Sequence, residues 1–245
     1  MNASEYHNLA RLESLHWWYV GMNAIAADWL RCLPWRDGGL SRLLDAGCGA
    51  GGWLKQLTAF GQSCGVDLHP FALRLAAAGG CRSLVRANIE ALPFTANQFA
   101  VVTSLDVLYH LNVTHDEQAL REFARVLRPG GWLLLRLPAY DWLRGAHDVV
   151  VHTRHRYTCR EVRAKLQTAG LRPVRVTYAN TILFPLIVLW RCFFRGHAAS
   201  DVRLPSAPLN RILIGLLGAE RFWLRRFNLP VGLSVLALAQ KEACP

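Results

Sequence analysis

The 245-residue chain is almost without lysine. Only Lys55, Lys165 and Lys241 occur, and arginine supplies the rest of its 28 basic residues. Acids are also few, 17 Asp and Glu together, which leaves a formal charge of +11. That surplus points to an anionic partner class (nucleic acid, a membrane surface or a phosphorylated substrate) without choosing among them. Arginine favours bidentate contacts to phosphate or carboxylate, although genome composition produces the same bias. The seven cysteines contain no CxxC pair and their number is odd. Neither a zinc ribbon nor a disulfide framework is indicated, so a reducing, cytoplasmic compartment is expected. Residues 1–18 carry acids and no apolar core, so no secretory signal is expected. Long apolar runs are missing: the longest, Ile182 to Trp190, has nine residues, against ~20 needed to cross a bilayer. Such a segment can still lie on the inner face of a membrane. The hydrophobic share of 52% excludes a disordered chain. The length suits one α/β domain with an elaboration, or two small domains.

Hydrophobic periodicity predicts a helix over 4–33, a turn at 35–39, and then short apolar strands alternating with amphipathic helices. The strands fall at 42–46, 63–67, 83–87, 99–104 and 132–137, and the helices at 53–60, 70–78 and 115–127. A helix at 158–169, stopped by Gly170, and strands at 174–178 and 231–239 follow. This alternation argues for a parallel sheet covered on both faces, with binding at the carboxyl ends of the strands.

The sharpest segment is Leu43-Leu44-Asp45-Ala46-Gly47-Cys48-Gly49-Ala50-Gly51-Gly52. Glycines at a strand-to-helix turn allow a ligand close to the backbone. Asp45 at the strand end suits a cationic ligand and disfavours a pyrophosphate. Asp67 ends the second strand, 20 residues after Gly47, where a carboxylate can accept bonds from both ribose hydroxyls.

The blocks LLDAGCGAGGW, GVDLHP, RANIEALPF, FAVVTSLDVLYHL and LRPGGWLLLRLP resemble, in order and spacing, the class I S-adenosylmethionine-dependent methyltransferases. The likeness is to the small-molecule branch called methyltransferase type 11, over roughly 40–180 and again at the closing strand. It implies a Rossmann-like, seven-stranded, mostly parallel sheet with an antiparallel last strand. Residues 172–180 and 231–240 would form the last pair. Residues 1–39 would form a helical cover on a methyltransferase domain at 40–245, with 181–228 inserted between the last two strands. The implied cofactor is S-adenosylmethionine, released as S-adenosylhomocysteine. Gly47, Cys48, Gly49 and Gly51 would contact its methionine part and Asp67, with Leu68, its ribose. Asn88 and Ile89 would flank the adenine, and Leu105 would border the methyl group. The family usually has Asp where Asn88 stands, but an amide oxygen can still accept from the adenine amino group.

Glu13-Ser14-Leu15-His16-Trp17-Trp18-Tyr19 resembles an E-x-x-HWWY block that opens a subset of these enzymes, commonly followed by Gly-Arg-Arg; Gly21-Met22-Asn23 stands here instead. Three consecutive aromatics cannot share one core, since helical neighbours are ~100° apart. Tyr19 is the expected cofactor contact, with Trp18 and Tyr109 toward the substrate; a plain packed cover is the equal alternative. His152-Thr153-Arg154-His155-Arg156-Tyr157-Thr158 follows the fifth strand and should overhang the site. His155 or His152 could serve as general base there, with His110 a further candidate. Arg154, Arg156 and Tyr157 would hold substrate; the alternative is that the histidines only pack or cap. The histidines share no metal-ligand spacing, so no metal is expected.

Residues 181–228 carry seven arginines (191, 195, 203, 211, 221, 225, 226) against Asp201 and Glu220, interleaved with Leu209, Ile212, Leu213, Leu216, Leu217, Trp223 and Leu224. A basic amphipathic helix of this kind reads as a membrane-surface element, a lid or a homodimer contact. The resulting expectation is a methyltransferase for a hydrophobic or lipid-like small molecule of secondary metabolism, with oxygen as acceptor. A C-methyltransferase on a polyketide- or isoprenoid-like compound, and a non-catalytic cofactor-binding subunit, are the alternatives. Charge concentrated in an apolar insertion argues against nucleic acid, and neither an NPPY motif nor a Pro-Cys nucleophile occurs.

Overall fold

The computed structural model describes residues 10–34, 41–145, 148–149, 151–193 and 204–242. The turn expected at 35–39, the start of the first expected helix, and insertion residues 194–203 with Arg195, Asp201 and Arg203 lie outside them.

Seven strands form one sheet in the order β3-β2-β1-β4-β5-β7-β6. They are β1 (Arg42–Ala46), β2 (Gln62–Asp67), β3 (Leu84–Arg86), β4 (Phe99–Leu105), β5 (Leu127–Pro138), β6 (Leu171–Ala179) and β7 (Ser234–Lys241). The first five are parallel, and β7 is antiparallel to both β5 and β6. The helices are α1 (Trp17–Arg31), α2 (Gly52–Leu57), α3 (Pro70–Ala78), α4 (Asp116–Val126), α5 (Cys159–Thr168), α6 (Phe184–Phe193) and α7 (Ala207–Trp223). The mixed sheet with its antiparallel last strand agrees with the expected Rossmann-like architecture.

Adjacent strand residues feed opposite cores, because side chains alternate across a sheet. Leu44, Val102, Leu133 and Leu135 pack with Phe123 and Leu166 from α4 and α5. Their neighbours Leu43, Val101 and Leu134 pack on the other face with Met22, Ile25, Trp29 and Trp53. Two buried faces explain why these strands read as continuous apolar runs.

The first helix differs from the sequence expectation. Residues 13–15 form a turn and α1 begins only at Trp17. The cause is His16, which leaves helical geometry and accepts the Trp18 N–H at its Nδ1, 3.3 Å away. Strand β5 is also longer than expected, running through the Pro129-Gly130-Gly131 segment.

Strands β5 and β6 both run opposite to β7. The segment between β6 and β7 therefore leaves and re-enters at the sheet edge where β1, β2 and β4 end. There α7 packs against α1. Leu217 lies so close to Gly21 that a Cβ on the glycine would sit 2.4 Å from its Cδ1. Trp29 Nε1 donates to the Leu224 carbonyl at 3.1 Å, and the Asn210 amide bonds the Leu15 carbonyl and the Trp17 N–H. Buried Asp28 accepts from Arg221 and Arg225, and from Arg31 on its own helix.

These contacts correct part of the membrane-surface expectation. Arg221 and Arg225 grip Asp28 rather than standing ready for headgroups, and Leu217 and Leu224 are buried against the cover. Leu209, Ile212 and Trp223 remain exposed. Among the described residues, no helix is long and apolar enough to cross a membrane.

Candidate active site

The turn after β1 is built by glycine. Gly47, Gly49 and Gly51 all have φ between +53° and +93°, a region that strains other residues. A Cβ on Gly47 would also strike Val107. The N–H groups of Gly47 and Cys48 both donate to the Val66 carbonyl of β2, at 2.7 and 2.8 Å. The Gly49 N–H donates to Asp67 Oδ2 at 2.9 Å, and the His69 N–H to Asp67 Oδ1 at 2.8 Å. Asp67 is thus a brace of the turn as well as a candidate ribose acceptor. Burial pushes its carboxyl above the usual range, against the pull of these amides.

Asp45 lies beneath the turn, 2% exposed. Its Oδ1 accepts from Thr103 Oγ1 at 3.0 Å, and that oxygen in turn accepts from Trp53 Nε1. Its Oδ2 is buried with no donor among the described residues. Burial, reinforced by the charges of Glu13 and Asp67, pushes Asp45 up to about 7.

Two further acids complete the cluster, and neither was foreseen. Glu13, from the turn before α1, accepts the Gly52 N–H, and burial pushes its carboxyl to about 7. Asp106, at φ +61° just past β4, pairs with Arg136 of β5, Nε to Oδ2 at 2.5 Å. Arg136 also donates to Asn23 Oδ1 at 2.9 Å, and its guanidinium lies 4.7 Å from the Trp18 ring centroid. The cover is therefore tied to the sheet end through one buried cation. Arg136 had a sequence signal, a lone charge inside an apolar strand. Glu13 sat in the block already singled out, where only the aromatics were weighed.

Tyr19 and Tyr109 both adjoin Asp106. Burial first, and the Asp106 charge second, push their hydroxyls up, so they stay protonated donors. Trp18 contacts the Tyr19 ring edge-on at 4.9 Å. Ile89 is buried, Leu105 is half-buried and Leu68 is exposed. The Asn88 side chain is turned onto its own loop: Oδ1 accepts the Glu90 N–H and Nδ2 donates to Glu90 Oε2. As placed, its oxygen serves an Asx turn rather than facing an open site.

The segment after β5 holds the largest corrections. His155 was expected as a base, but Nδ1 lies 2.7 Å from Asp141 and Nε2 2.8 Å from Glu161, so neither nitrogen faces an open site. Arg156 was expected on substrate, but its fork is closed on buried Asp148, with Nη1 on the Ala139 carbonyl. Tyr157 is fully buried and donates to Asp116 Oδ2 at 2.8 Å. These residues fold the loop; acids supplied from elsewhere took their polar groups. Arg154 lies 3.4 Å from Asp116 with its Nε unpartnered. The His110 and His152 ring centroids lie 5.8 Å apart with the rings tilted, where His110 and Thr153 bridge the two loops. Among the described residues no cluster could hold a metal ion.

Four carboxylates against one buried arginine, around a turn with glycine at 47, 49 and 51, fit a ligand that carries positive charge and approaches the backbone. The orphaned Asp45 oxygen calls for a donor. Acids after β1 and β2 with a glycine turn between them, at the carboxyl ends of the strands, form a candidate nucleoside-cofactor site.

Comparison with known proteins agrees. Residues 44–135 match the family described as the methyltransferase domain, Methyltransf_11. Over 103 residues, 42% of this chain, the sequence is 33% identical to a Bos taurus protein named as a tRNA methyltransferase 9B, covering 21% of it. Over 71 residues, 27% of this chain, it is 42% identical to the ubiquinone/menaquinone biosynthesis C-methyltransferase UbiE of Shewanella frigidimarina, covering 27% of it. The chain spans less than half the length of the curated relatives it matches. The fold superposes on a Haloferax volcanii methyltransferase solved in complex with the Trm112 methyltransferase activator. The TM-score is 0.64 at 19% identity, over 98% of this chain and 96% of that one. Residues 44–135 therefore match a methyltransferase domain of the Methyltransf_11 family, whose members use S-adenosylmethionine.

Proposed function

We propose that the protein transfers the methyl group of S-adenosylmethionine to a hydrophobic or lipid-like small molecule, at oxygen. One observation carries the acceptor class: an apolar, aromatic group stands at the carboxyl ends of β5 and β6, on the same edge of the sheet as the acids. Tyr140, just past β5, stacks on Tyr178 of β6 at 5.0 Å and adjoins Trp142 and Phe184. Trp142 is 59% exposed, and α6 continues the surface with exposed Leu186, Leu189 and Trp190. An apolar acceptor would gain about 25 cal/mol for each Å² it buries there.

The cofactor supplies an electrophilic methyl on a sulfonium and departs as a neutral thioether. The chain's residues position it. In this reading the turn 47–51 takes the methionine part, with Asp45 nearby, and Asp67 takes the ribose with Leu68. Ile89 and Asn88 flank the adenine. Tyr19, Leu105 and Tyr109 border the methyl. Helix α1 with the turn before it, and α7 packed on it, exclude water, so orientation and desolvation carry much of the rate. The acceptor proton leaves toward His110 or His152, the histidines on the loops beyond β4 and β5. The exposed residues Leu209, Ile212 and Trp223, with Arg226 beside them, favour membrane-surface contact as the source of an apolar acceptor. The UbiE likeness favours a second reading, methylation at carbon of a comparable compound.

The test combines purified protein, methyl-labelled S-adenosylmethionine and a host-cell extract, followed by organic and aqueous partition. Label in the organic phase supports the reading. Label confined to the aqueous or macromolecular phase overturns it in favour of a polar metabolite, protein or RNA.

A further inference from the structure

Glu13 is out of place for a surface acid. It stands on the short turn ahead of α1, yet its carboxylate is carried into the sheet end and seated on the Gly52 N–H. The fit depends on glycine: a Cβ at Gly52 would lie 2.6 Å from the Glu13 Cδ. Around it stand Asp45 from β1, Arg136 from β5, Lys55 from α2 and Tyr19 from α1. Arg136 does not neutralise it, because that guanidinium is spent on Asp106, Asn23 and the Trp18 face. Asp45 beside it keeps an oxygen that is buried and unpartnered. Two acids are thus brought together from different elements beside a glycine-rich turn, and the charges of Lys55 and Arg136 offset their burial only in part. Such an arrangement is costly unless a positive ligand group completes it.

We propose that Glu13 is a cofactor-binding residue carried by the N-terminal cover: its carboxylate pairs with the α-ammonium group of S-adenosylmethionine and fastens the cover over the amino-acid end of the cofactor. The inference rests on the S-adenosylmethionine reading of the site. The cover is held elsewhere by packing, by Asn23 on Arg136 and by the Asp28 pairs with Arg221 of α7 and Arg225 just past it, whereas Glu13 is its one carboxylate at the glycine turn among the described residues. Closure of the cover is therefore linked to the cofactor's amino-acid end and not to its nucleoside.

Two probes separate these ends. S-adenosylhomocysteine carries the ammonium group, and 5′-methylthioadenosine keeps the nucleoside and thioether but lacks the amino-acid part. Calorimetry on the full chain should show that Glu13→Gln weakens S-adenosylhomocysteine at least tenfold and changes 5′-methylthioadenosine less than twofold. Hydrogen exchange gives the second readout. S-adenosylhomocysteine should protect residues 10–20 in the parent protein and fail to do so in Glu13→Gln, while Glu13→Asp restores part of that protection. A change under threefold for S-adenosylhomocysteine, an equal loss for both probes, or protection retained in Glu13→Gln overturns the proposal. Where 5′-methylthioadenosine binds too weakly to read, the exchange result decides. If the parent protein binds neither S-adenosylmethionine nor S-adenosylhomocysteine, the underlying site reading fails instead.

Discussion

Replacing Asp67 with alanine separates the cofactor reading from a purely structural one. In the free protein Asp67 accepts the N–H groups of Gly49 and His69, at 2.9 and 2.8 Å. Hydrogen bonds to a charged group contribute roughly 1.5–3 kcal/mol each. Part of that is offset because the substitution also removes a buried carboxylate, whose burial cost shows in its raised pKa. A net stability loss of about 1–3 kcal/mol follows. Binding should suffer separately, because in the proposed reading the remaining carboxylate lone pairs take the ribose hydroxyls. Losing those bonds costs about 2–3 kcal/mol, or roughly 30- to 150-fold in affinity. The assay is calorimetry with S-adenosylhomocysteine and 5′-methylthioadenosine, at a temperature where the variant is shown folded by its unfolding curve. Both ligands carry the ribose, so both should weaken. Affinities within threefold of the parent, in a folded variant, would refute the placement of the ribose on Asp67.

Three further outcomes follow from the same geometry. Asp28→Asn should loosen α7 from α1: Arg221 and Arg225 hold Asp28 down to about 2. Allowing for the partial exposure of both arginines, the loss is about 1–2 kcal/mol at pH 7, read by denaturant unfolding and by faster amide exchange in α7. Because that carboxyl is depressed, its contribution exists above about pH 4 and disappears as pH falls toward 2. Asp148→Asn should leave Arg156 buried without its partner, and the 140–157 loop should lose about 3 kcal/mol, seen as local exchange and a lower Tm. Glu13 and Asp45 behave oppositely to Asp28. Their folded values, about 7, stand above the unfolded ones, so the free protein loses their contribution as pH rises through 7. A cationic ligand favours their ionised forms, so S-adenosylmethionine affinity should rise from pH 6 to 8; calorimetry across that range giving a flat profile would contradict it.

The alternation of strands and helices was legible because each sheet face buries its own register of apolar residues, as Leu43 and Leu44 do. Asp45, the glycines and Asp67 were legible because the turn chemistry that joins β1, α2 and β2 is local. The break before α1 was not, since His16 caps the helix within an otherwise helical apolar pattern. Loop 152–158 was correctly expected at the sheet end, but the duties of its side chains were misread. His155, Arg156 and Tyr157 are claimed by Asp141, Glu161, Asp148 and Asp116, partners 6 to 41 residues away. Long-range pairing of that kind leaves no periodic trace. The same holds for Arg221 and Arg225, whose partner Asp28 lies 193 and 197 positions earlier. Glu13 and Arg136 matter through the meeting of the cover with the sheet, which no single segment announces.

The central claim is that the acids and the glycine turn at the ends of β1, β2 and β4 bind S-adenosylmethionine. Calorimetric titration of the unaltered chain with S-adenosylhomocysteine, and in parallel with a nicotinamide dinucleotide, tests it most directly. Saturable binding of the first, with one site per chain, and none of the second is the predicted result. Binding of the dinucleotide, or of neither ligand to folded protein, would contradict the account.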